Sequence, residues 1–339
     1  MAAPHARVQR RPVHGVLLLD KPLGLSSNQA LQKAKWLLRA EKAGHTGTLD
    51  PLASGVLPLC FGAATKFSQG HLDADKTYAA TVQLGVVTST GDAEGQVLAR
   101  PAVPELNAAQ LERVRQQFLG RIEQVPPMHS ALKKDGKALY EYARAGQSIE
   151  RAPRGVEIHE LRLTPGSGGP DTIDLHVRCS KGVYIRTLGE DIARALGTGG
   201  HLARLRRLAS GPFSEAQCIT LEALQTLTEA GRLQRLLPIE CLLPDHSHVT
   251  LAGEEAGRFL AGMRRRGSWA DAQRVAVFGE RPHALLGVAH IQAGELIADR
   301  LLSPLEIEQT LSVASPAVTP PTPSPFISPL SAPGRGTHP

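Results

Sequence analysis

The sequence predicts an α+β protein in which a mixed sheet with flanking helices is followed by a small β module. Runs typical of strands and stretches with helical spacing follow one another without a regular strand–helix–strand rhythm, and this favours the α+β class. Near the C-terminus three short runs are separated by the turn sequences GERP and QAGE, which predicts a β module there. These runs are residues 275–278, 284–291 and 295–302.

The first part of the chain predicts a strand followed by an amphipathic helix. Residues 16–19 form an apolar run that ends in Asp20-Lys21-Pro22, which is typical of a strand and the turn after it. Ser26 or the serine after it is expected to cap the next helix. The apolar residues of that helix recur at helical spacing and are Ala30, Leu31, Ala34, Leu37 and Leu38.

Further elements are predicted in the middle of the chain. Residues 78–84 are expected to form a strand, and a helix is expected to begin at Glu105 or Asn107. Residues 172–179 alternate between apolar and polar side chains, which predicts a half-buried strand. Residues 187–196 then have the pattern of a helix.

Residues 126–154 differ in composition from the rest of the chain. They contain one short helical stretch, 138–145, and are dense in basic side chains. We interpret this segment as an insertion that lies over the surface of the main domain and offers positive charge to a polyanion. Its basic residues are Lys133, Lys134, Lys137, Arg144, Arg151 and Arg154.

The chain is predicted to divide into four parts. Residues 1–12 are expected to form a flexible basic arm, 13–245 the main domain, 246–312 the β module and 313–339 a disordered tail. Within the tail, residues 316–339 contain eight prolines and one charged residue, Arg335. Such a composition cannot bury a core, so disorder is the expected state.

Bulk composition restricts the class of protein. The 339 residues suggest about two domains, and the net charge of +6 with a pI near 9.3 suits a polyanionic partner. The four cysteines are far apart and lack metal-ligand spacing, which is typical of reduced thiols in a cytoplasmic protein. No run approaches the ~18 apolar residues of a membrane span. We therefore expect a cytoplasmic protein without a metal site and without a membrane partner.

Residues 44–59, GHTGTLDPLASGVLPL, are the most informative segment of the chain. Gly44 and Gly47 allow positive φ and close backbone approach, and Pro51 disfavours the α-helical conformation at Asp50. An apolar run follows the loop and predicts a buried strand. A carboxylate on a rigid polar loop before a buried strand is typical of a catalytic group at the mouth of a cleft.

This segment resembles the catalytic motif of the pseudouridine synthases, in the form found in the TruB-type family of bacterial tRNA pseudouridine-55 synthases. Further blocks resemble the same family and occur in the family's order, so that the resemblance covers about residues 13–240. A chance match over several ordered blocks is not expected. The blocks are residues 15–35, 63–85, 125–146, 179–197 and 205–208.

The resemblance implies a fold and an activity. The fold is the pseudouridine synthase fold, a mostly antiparallel sheet with a central cleft, with a PUA-like RNA-binding domain in the place of the C-terminal β module. The activity is the isomerisation of uridine 55 in the T arm (TψC loop) of tRNA to pseudouridine. The base leaves N1, turns over and reattaches through C5, so neither a cofactor nor a metal is required. The implied enzyme is a monomer that uses no guide RNA.

The resemblance also implies roles for individual residues. Asp50 is the essential carboxylate, acting either as a nucleophile at C1′ or as a general base at C2′, and Arg186 keeps it ionised. Tyr78 stacks on the flipped base and is the candidate base for the C5 proton. Tyr184 is the second aromatic residue of the pocket. Leu205 forms the apolar wall, although spacing alone would make it a core residue of a helix.

Four more residues are weighed from the same motifs. The resemblance implies that His45 fills the place of the target uridine when that base is flipped out of the stack. Lys21 and Lys66 are candidates for phosphate contacts, or alternatively for solvated surface charges. Several relatives carry tyrosine where this chain has His129, so no stacking role is transferred to position 129.

Other functions are compatible with the same scaffold. The main alternative is an RNA-binding or tRNA-folding protein, and further alternatives are a nucleoside-cleaving hydrolase and a guide-RNA-dependent relative. Binding alone does not need a carboxylate, so the combination of Asp50, Tyr78 and Arg186 favours an isomerase. The basic insertion favours an enzyme that binds its own substrate without a guide.

Overall fold

The computed structural model describes residues 9–130 and 132–313, and two sheets form its framework. In chain order the strands up to residue 220 are β1 (Gly15–Lys21), β2 (Ala43–His45), β3 (Ala53–Phe61), β4 (Lys76–Leu84), β5 (Val87–Thr88), β6 (Val97–Ala99), β7 (Gly120–Gln124), β8 (Lys133–Lys134), β9 (Lys137–Ala138), β10 (Arg154–Pro165), β11 (Thr172–Cys179), β12 (Gly200–Ser210), β13 (Phe213–Ser214) and β14 (Ile219–Thr220). Ten of these strands form the larger sheet, while β5 pairs with β6 and β8 with β9 in separate hairpins.

The larger sheet has the order β14-β1-β3-β12-β4-β11-β10-β7, with β2 beside β3 and β13 beside β12. Its pairs are antiparallel except β1 with β14 and β3 with β12. The prediction of a mixed, mostly antiparallel sheet is therefore confirmed. Strand β12 lies in the middle of this sheet. It places residues 200–210 between β3 and β4, which both come from the first quarter of the chain.

Strand β12 was not predicted, and it corrects the expectation for Leu205. The spacing of apolar residues around position 205 suggested a helix, whereas the structure places Leu205 on β12. There it is paired with Ala53 of β3 on one side and with Ala80 of β4 on the other. A central strand whose polar side chains are also buried does not show the simple alternation that sequence patterns detect.

The helices are α1 (Ser27–Leu37), α2 (Ser68–Leu72), α3 (Ala108–Phe118), α4 (Leu139–Arg144), α5 (Ile185–Ala195), α6 (Leu221–Thr226), α7 (Glu229–Leu233), α8 (Gly253–Leu260) and α9 (Pro304–Val313). Helix α1 begins with a capping box, in which the side chain of Ser26 accepts from the backbone of Gln29 and the side chain of Gln29 accepts from the backbone of Ser26. Asn107 caps α3 in the same way. Both predicted helix starts are thus confirmed.

The larger sheet is buried on both faces near β1 and β3. Leu17 and Leu19 of β1 point into one apolar core, together with α1 and α5, whereas Val16 and Leu18 point into a second core. Residues of β3 divide between the two cores in the same way. This double burial explains why both strands are nearly continuous apolar runs in the sequence.

The second sheet follows residue 246 and has five strands in the order β15-β17-β18-β19-β16. Its strands are β15 (Ser247–Leu251), β16 (Arg265–Arg266), β17 (Ala272–Gly279), β18 (Ala284–Gln292) and β19 (Glu295–Leu301). The three predicted strands correspond to β17, β18 and β19. Strand β15 and helices α8 and α9 were not predicted, because each is short and is stabilised by packing on the sheet rather than by a clear pattern of its own.

The two sheets share the second apolar core. Val16 and Val56 of the larger sheet belong to the same cluster of buried side chains as Phe278 of the smaller sheet and Phe259 of α8. Polar contacts add to this interface, since Nε2 of His14 lies 2.9 Å from Oε1 of Gln309. The C-terminal sheet is therefore packed against the larger one and is not a loosely tethered unit.

Two predicted segments lie largely outside the described residues. These are the N-terminal arm, of which only residues 9–12 are described, and the Pro-rich tail beyond residue 313. Within the arm, the backbone N–H of Arg11 donates to the carbonyl oxygen of Arg39 at 2.8 Å, and the N–H of Glu41 donates to Arg11. The chain is therefore fixed to the end of α1 from residue 11 onwards.

Candidate active site

The loop that carries Asp50 connects β2 to β3 and is fixed by hydrogen bonds at several points. Ser27 at the start of α1 donates its hydroxyl to the carbonyl oxygen of Leu49 at 3.0 Å, and its oxygen accepts the Leu49 N–H at 2.7 Å. The N–H of Thr46 donates to Pro58, and the N–H of Gly24 donates to Pro51. The position of Asp50 is thus determined by α1, by β3 and by the turn after β1.

Arg186 contacts Asp50 directly. It lies in the first turn of α5, and its Nε is 3.0 Å from Oδ2 of Asp50. The Arg186 side chain is 6% exposed, whereas that of Asp50 is 37% exposed and faces the open side of the site. The remaining guanidinium nitrogens donate to the carbonyl oxygens of Thr90 at 3.1 Å and His129 at 2.6 Å. The cation is therefore held by backbone, and the carboxylate keeps one side free for a ligand.

Opposing effects set the pKa of Asp50. Burial raises the pKa above the ordinary aspartate value, and Arg186 lowers it. The nearby carboxylate of Asp92 raises the pKa, while Lys21 and His129 lower it. The net result is a raised pKa, so the charged form of Asp50 depends on the cations around it.

Asp92 is a second carboxylate beside Arg186, and the sequence analysis missed it. Its Oδ2 lies 3.7 Å from Nη1 of Arg186, and its side chain is 5% exposed. Thr90 donates its hydroxyl to Oδ1 of Asp92 at 2.5 Å, and the N–H of Glu94 donates to the same oxygen. The polar run TSTGDAEG at 88–95 is the sequence signal that marks this turn. Arg186 is thus shared between Asp50 and Asp92.

Tyr78 lies near the start of β4 and is buried. Burial raises the pKa of its phenol, the neighbouring guanidinium of Arg207 lowers it, and Asp50 is close enough to raise it. The charge of Asp50 therefore acts on the phenol of Tyr78. Arg207, which faces Tyr78 from β12, is a second residue that the sequence analysis missed. It is part of the motif LRRL, in which only Leu205 was singled out.

His45 lies at the end of β2, and Tyr184 lies directly before α5. His45 is half-buried at the end of β2, and burial, followed by the charge of Arg207, lowers the pKa of its imidazole. Tyr184 is also half-buried, and its N–H donates to Oε1 of Gln124 at 3.0 Å. Burial raises the pKa of the Tyr184 phenol. Both shifts favour the uncharged form of the ring.

Lys21 and Lys66 both have protein partners in the structure, and their surroundings differ from those of exposed lysines that contact phosphates. Lys21 is fully buried, donates to the carbonyl oxygens of Pro22 and Leu25, and has its pKa lowered by burial to about 8. It is near Asp50 but has no exposed surface. Lys66 lies at the junction of the two sheets, where Nζ is 2.6 Å from Glu306. Neither position favours a phosphate contact, and Lys66 serves the interface between the sheets.

The assembled site combines an ionisable carboxylate, a buried cation and a buried phenol. Leu205, the candidate for an apolar wall, lies on β12 and is 8% exposed. Such a site suits a planar, polar ring beside a carboxylate that is able to act on a neighbouring carbon. The exposed basic residues Lys133, Lys134 and Arg144 lie on the β8–β9 hairpin and α4, and the same segment supplies the His129 carbonyl that holds Arg186.

Neither a metal cluster nor a membrane-spanning helix is found in the described part of the chain. Among residues 9–130 and 132–313, no three His, Cys, Asp or Glu side chains are grouped so that they could hold a metal ion. Within the same described part of the chain, no helix has the length and apolar character needed to cross a membrane.

Comparison with known proteins gives matches over most of the chain. The model of the TruB family pseudouridylate synthase N-terminal domain matches residues 35–185, and that of the tRNA pseudouridylate synthase B C-terminal domain matches residues 186–244. The chain is 64% identical over 314 residues to tRNA pseudouridine synthase B of Verminephrobacter eiseniae, covering 91% of this chain and 95% of the relative. Identity to the protein of the same name from Ralstonia nicotianae is 54% over 304 residues, covering 88% and 96%.

Solved structures with a similar fold include a chain in the crystal structure of a Cbf5–Nop10–Gar1 complex. The TM-score is 0.66 at 24% sequence identity, and the match covers 88% of this chain and 87% of that chain. A chain of an archaeal box H/ACA Nop10–Cbf5 complex matches with a TM-score of 0.63 at 23% identity, covering 87% and 88%. These likenesses show that the fold is shared over both sheets.

Proposed function

The chain belongs to the TruB family of pseudouridylate synthases, and from this premise we propose that it isomerises uridine 55 in the T arm of tRNA to pseudouridine. The reaction breaks the bond from N1 of uracil to C1′ of ribose and forms a bond from C5 to C1′. It is an isomerisation, because the product contains the same atoms as the substrate. The chain acts as an isomerase of tRNA, and its place of action is the cytoplasm, where its substrate is.

The ion pair between Asp50 and Arg186 is the observation that supports this proposal most strongly. Breaking the glycosidic bond needs an ionised carboxylate near the ribose, either to attack C1′ or to remove the C2′ proton. Burial alone favours the neutral form of that carboxylate, and Arg186, 3.0 Å away, opposes this effect. The exposed side of Asp50 leaves room for the ribose in either route.

The other residues of the site fit the flipped base. Tyr78 and Tyr184 offer aromatic surfaces on which an unstacked uracil is able to lie, and Leu205 closes the apolar side. In this proposal His45 occupies the space that uridine 55 leaves in the RNA stack. Its lowered pKa supports stacking as a neutral ring rather than proton transfer.

Binding of the T arm is assigned to the basic insertion. Residues 126–154 carry exposed lysines and arginines close to the segment that touches Arg186, so RNA bound there would reach the catalytic loop. We propose that the enzyme recognises its tRNA as a monomer without a guide RNA, since this surface belongs to the chain itself.

Purified protein incubated with an unmodified tRNA transcript tests the proposal, with pseudouridine mapped at nucleotide resolution. We expect one new pseudouridine, at position 55, and none in a transcript that carries cytidine there. Tight binding without modification would favour the RNA-folding alternative. Release of free uracil would favour a hydrolase, and modification at other positions only would contradict the assigned substrate.

A further inference from the structure

Arg207 is a buried cation to which the proposed reaction assigns no role. It is 1% exposed and is among the largest fully buried side chains of the described residues. Within residues 9–130 and 132–313, no carboxylate lies within 4.0 Å of its guanidinium. A buried charge without a carboxylate partner is energetically costly.

The guanidinium is fixed under the catalytic loop by two backbone groups. Its Nε donates to the carbonyl oxygen of Val56 at 2.7 Å, and Nη2 donates to that of Gly47 at 3.1 Å. Two positions next to Arg207, Gly47 and Gly55, leave little or no room for a side chain. A Cβ at Gly55, where φ is +103°, would lie 2.2 Å from the carbonyl oxygen of Arg207, and a Cβ at Gly47 would lie 3.2 Å from Nη1. The place of Arg207 is therefore built by the loop and by β3 together.

Tyr78 is the side chain that Arg207 faces. The two residues are directly opposite each other in the antiparallel pair β4–β12, so their side chains leave the sheet on the same face. Both side chains are buried, so bulk water does not solvate the guanidinium or the phenol. The guanidinium also lowers the pKa of the phenol, against the larger effect of burial. The Tyr78 phenol, the candidate proton acceptor, is thus paired with the fixed positive charge of Arg207.

We propose that Arg207 is a positioning residue that acts through Tyr78, by stabilising the phenolate that accepts the C5 proton of the flipped base. This inference rests on the proposed function and assigns to Tyr78 the proton-accepting step of that reaction. Arg207 itself does not touch the base, since its donors are turned towards the loop, β3 and the phenol.

The step balances as a simple proton transfer. After C5 has bonded to C1′, the bond from C5 to hydrogen breaks, and its electron pair restores the C5–C6 double bond. The proton passes to the oxygen of the Tyr78 phenolate, which becomes a phenol, and N1 of the base takes a proton from water. The phenol later returns its proton to water. No oxidant, reductant or co-reactant is required.

The charge of Arg207 matters most for this step, because a buried phenol alone is a poor proton acceptor at neutral pH. Each unit by which the guanidinium lowers the phenol pKa increases the phenolate fraction about tenfold. Removing the charge should therefore slow C5 deprotonation more than it slows the earlier breakage of the glycosidic bond.

The test compares tRNA carrying hydrogen or deuterium at C5 of uridine 55, with wild-type protein and with Arg207→Gln. We expect the variant to be roughly 100-fold slower, the range of general acid–base effects, and to show a larger C5 isotope effect than the wild type. Arg206→Gln is the matched control. That neighbour pairs with Asp20 and Glu215 at the surface, so its variant should keep the wild-type isotope effect.

A merely structural role would lower the rate of Arg207→Gln without raising the isotope effect, and that result would overturn the inference. Arg207→Gln in a Tyr78→Phe background adds a second readout. If Arg207 acts through the phenol, Arg207→Gln should slow the C5 step little further when Tyr78 is already phenylalanine. If the two residues act independently, the rate losses of the two single variants should multiply.

Arg207→Lys keeps the inference testable if Arg207→Gln does not fold. Lysine retains the charge but lacks the fork that reaches Gly47, Val56 and the phenol together, so we expect a smaller loss with an intermediate isotope effect. A folded Arg207→Lys that is as slow as Arg207→Gln but shows the wild-type isotope effect would overturn the inference. Failure of the wild type to lose C5 hydrogen would instead overturn the proposed function.

Discussion

Nε of Arg186 lies 3.0 Å from Oδ2 of Asp50, and carbonyl oxygens of Thr90 and His129 hold the rest of the guanidinium. The cation is thus fixed by three different segments of the chain before any RNA arrives. Because its own partners are mostly backbone, the charge is directed at Asp50 without rearrangement. The pH dependence of the reaction should report this arrangement.

Arg186→Ala should shift the acidic limb of the pH–rate profile upward. Burial already raises the pKa of Asp50, and loss of the nearest cation raises it further, so a higher pH is needed to ionise the carboxylate. We also expect the rate to fall roughly 100-fold or more. Single-turnover rates between pH 5 and 9 measure both effects. Arg194→Ala, on the exposed face of α5, is the control, and an unchanged acidic limb would indicate that Arg186 contacts phosphate instead.

Asp92→Asn should shift the acidic limb in the opposite direction. The carboxylate of Asp92 raises the pKa of Asp50, so removing its charge lowers that pKa and extends activity to lower pH. The maximal rate should fall less than in Arg186→Ala, because Arg186 keeps its contacts to Thr90 and His129. An upward shift would show that Asp92 acts mainly by orienting Arg186.

His45→Ala should impair the reaction of folded tRNA more than that of a flexible single strand with the same uridine. Flipping a stacked base costs a few kcal/mol, whereas a loose base needs little help. His45→Phe should recover part of the loss, since stacking needs a plane and not a titratable nitrogen. If phenylalanine is as poor as alanine on both substrates, and the rate follows a group near pH ~6.5, the histidine transfers protons and the assignment is wrong.

Truncation after residue 245 should destabilise the remaining protein as well as weaken RNA binding. The cut would expose Val16 and Val56, which now share a core with Phe278. Each large side chain returned to water costs roughly 1.5–3 kcal/mol. Thermal unfolding of the truncated chain checks this, and deletion of 316–339 is the control, because its composition predicts no contribution to packing. An unchanged midpoint for the truncated chain would show that the two sheets are energetically independent.

The parts of the fold that the sequence predicts are those with local signals. Ser26 caps α1 as expected, and the alternating residues of β11 are buried on one face as the pattern requires. Strand β12 gave no such signal, because Arg207 is a charged residue at a buried position. Its burial depends on partners from β3, β4 and the loop at Gly47, which no local pattern reveals.

The same distinction applies to the site. Residues of the recognised motifs, such as Asp50 and Arg186, are brought together by the structure as the sequence analysis expected. Asp92 lies in a turn whose composition resembles any polar loop, and its role follows only from its distance to Arg186. Lys66 was a candidate for a phosphate contact or for a solvated surface charge, and in the structure it pairs with Glu306, a residue far away in the sequence. Long-range pairs of this kind are set by topology.

The most direct test of the central claim is the reaction of Asp50→Asn with unmodified tRNA. The substitution keeps the size of the side chain but removes its charge, so it should abolish formation of pseudouridine 55 and leave tRNA affinity within a few fold of the wild type. Asp171→Asn, an exposed aspartate before β11, should react as the wild type does. Substantial formation of pseudouridine by a folded Asp50→Asn protein would contradict the account.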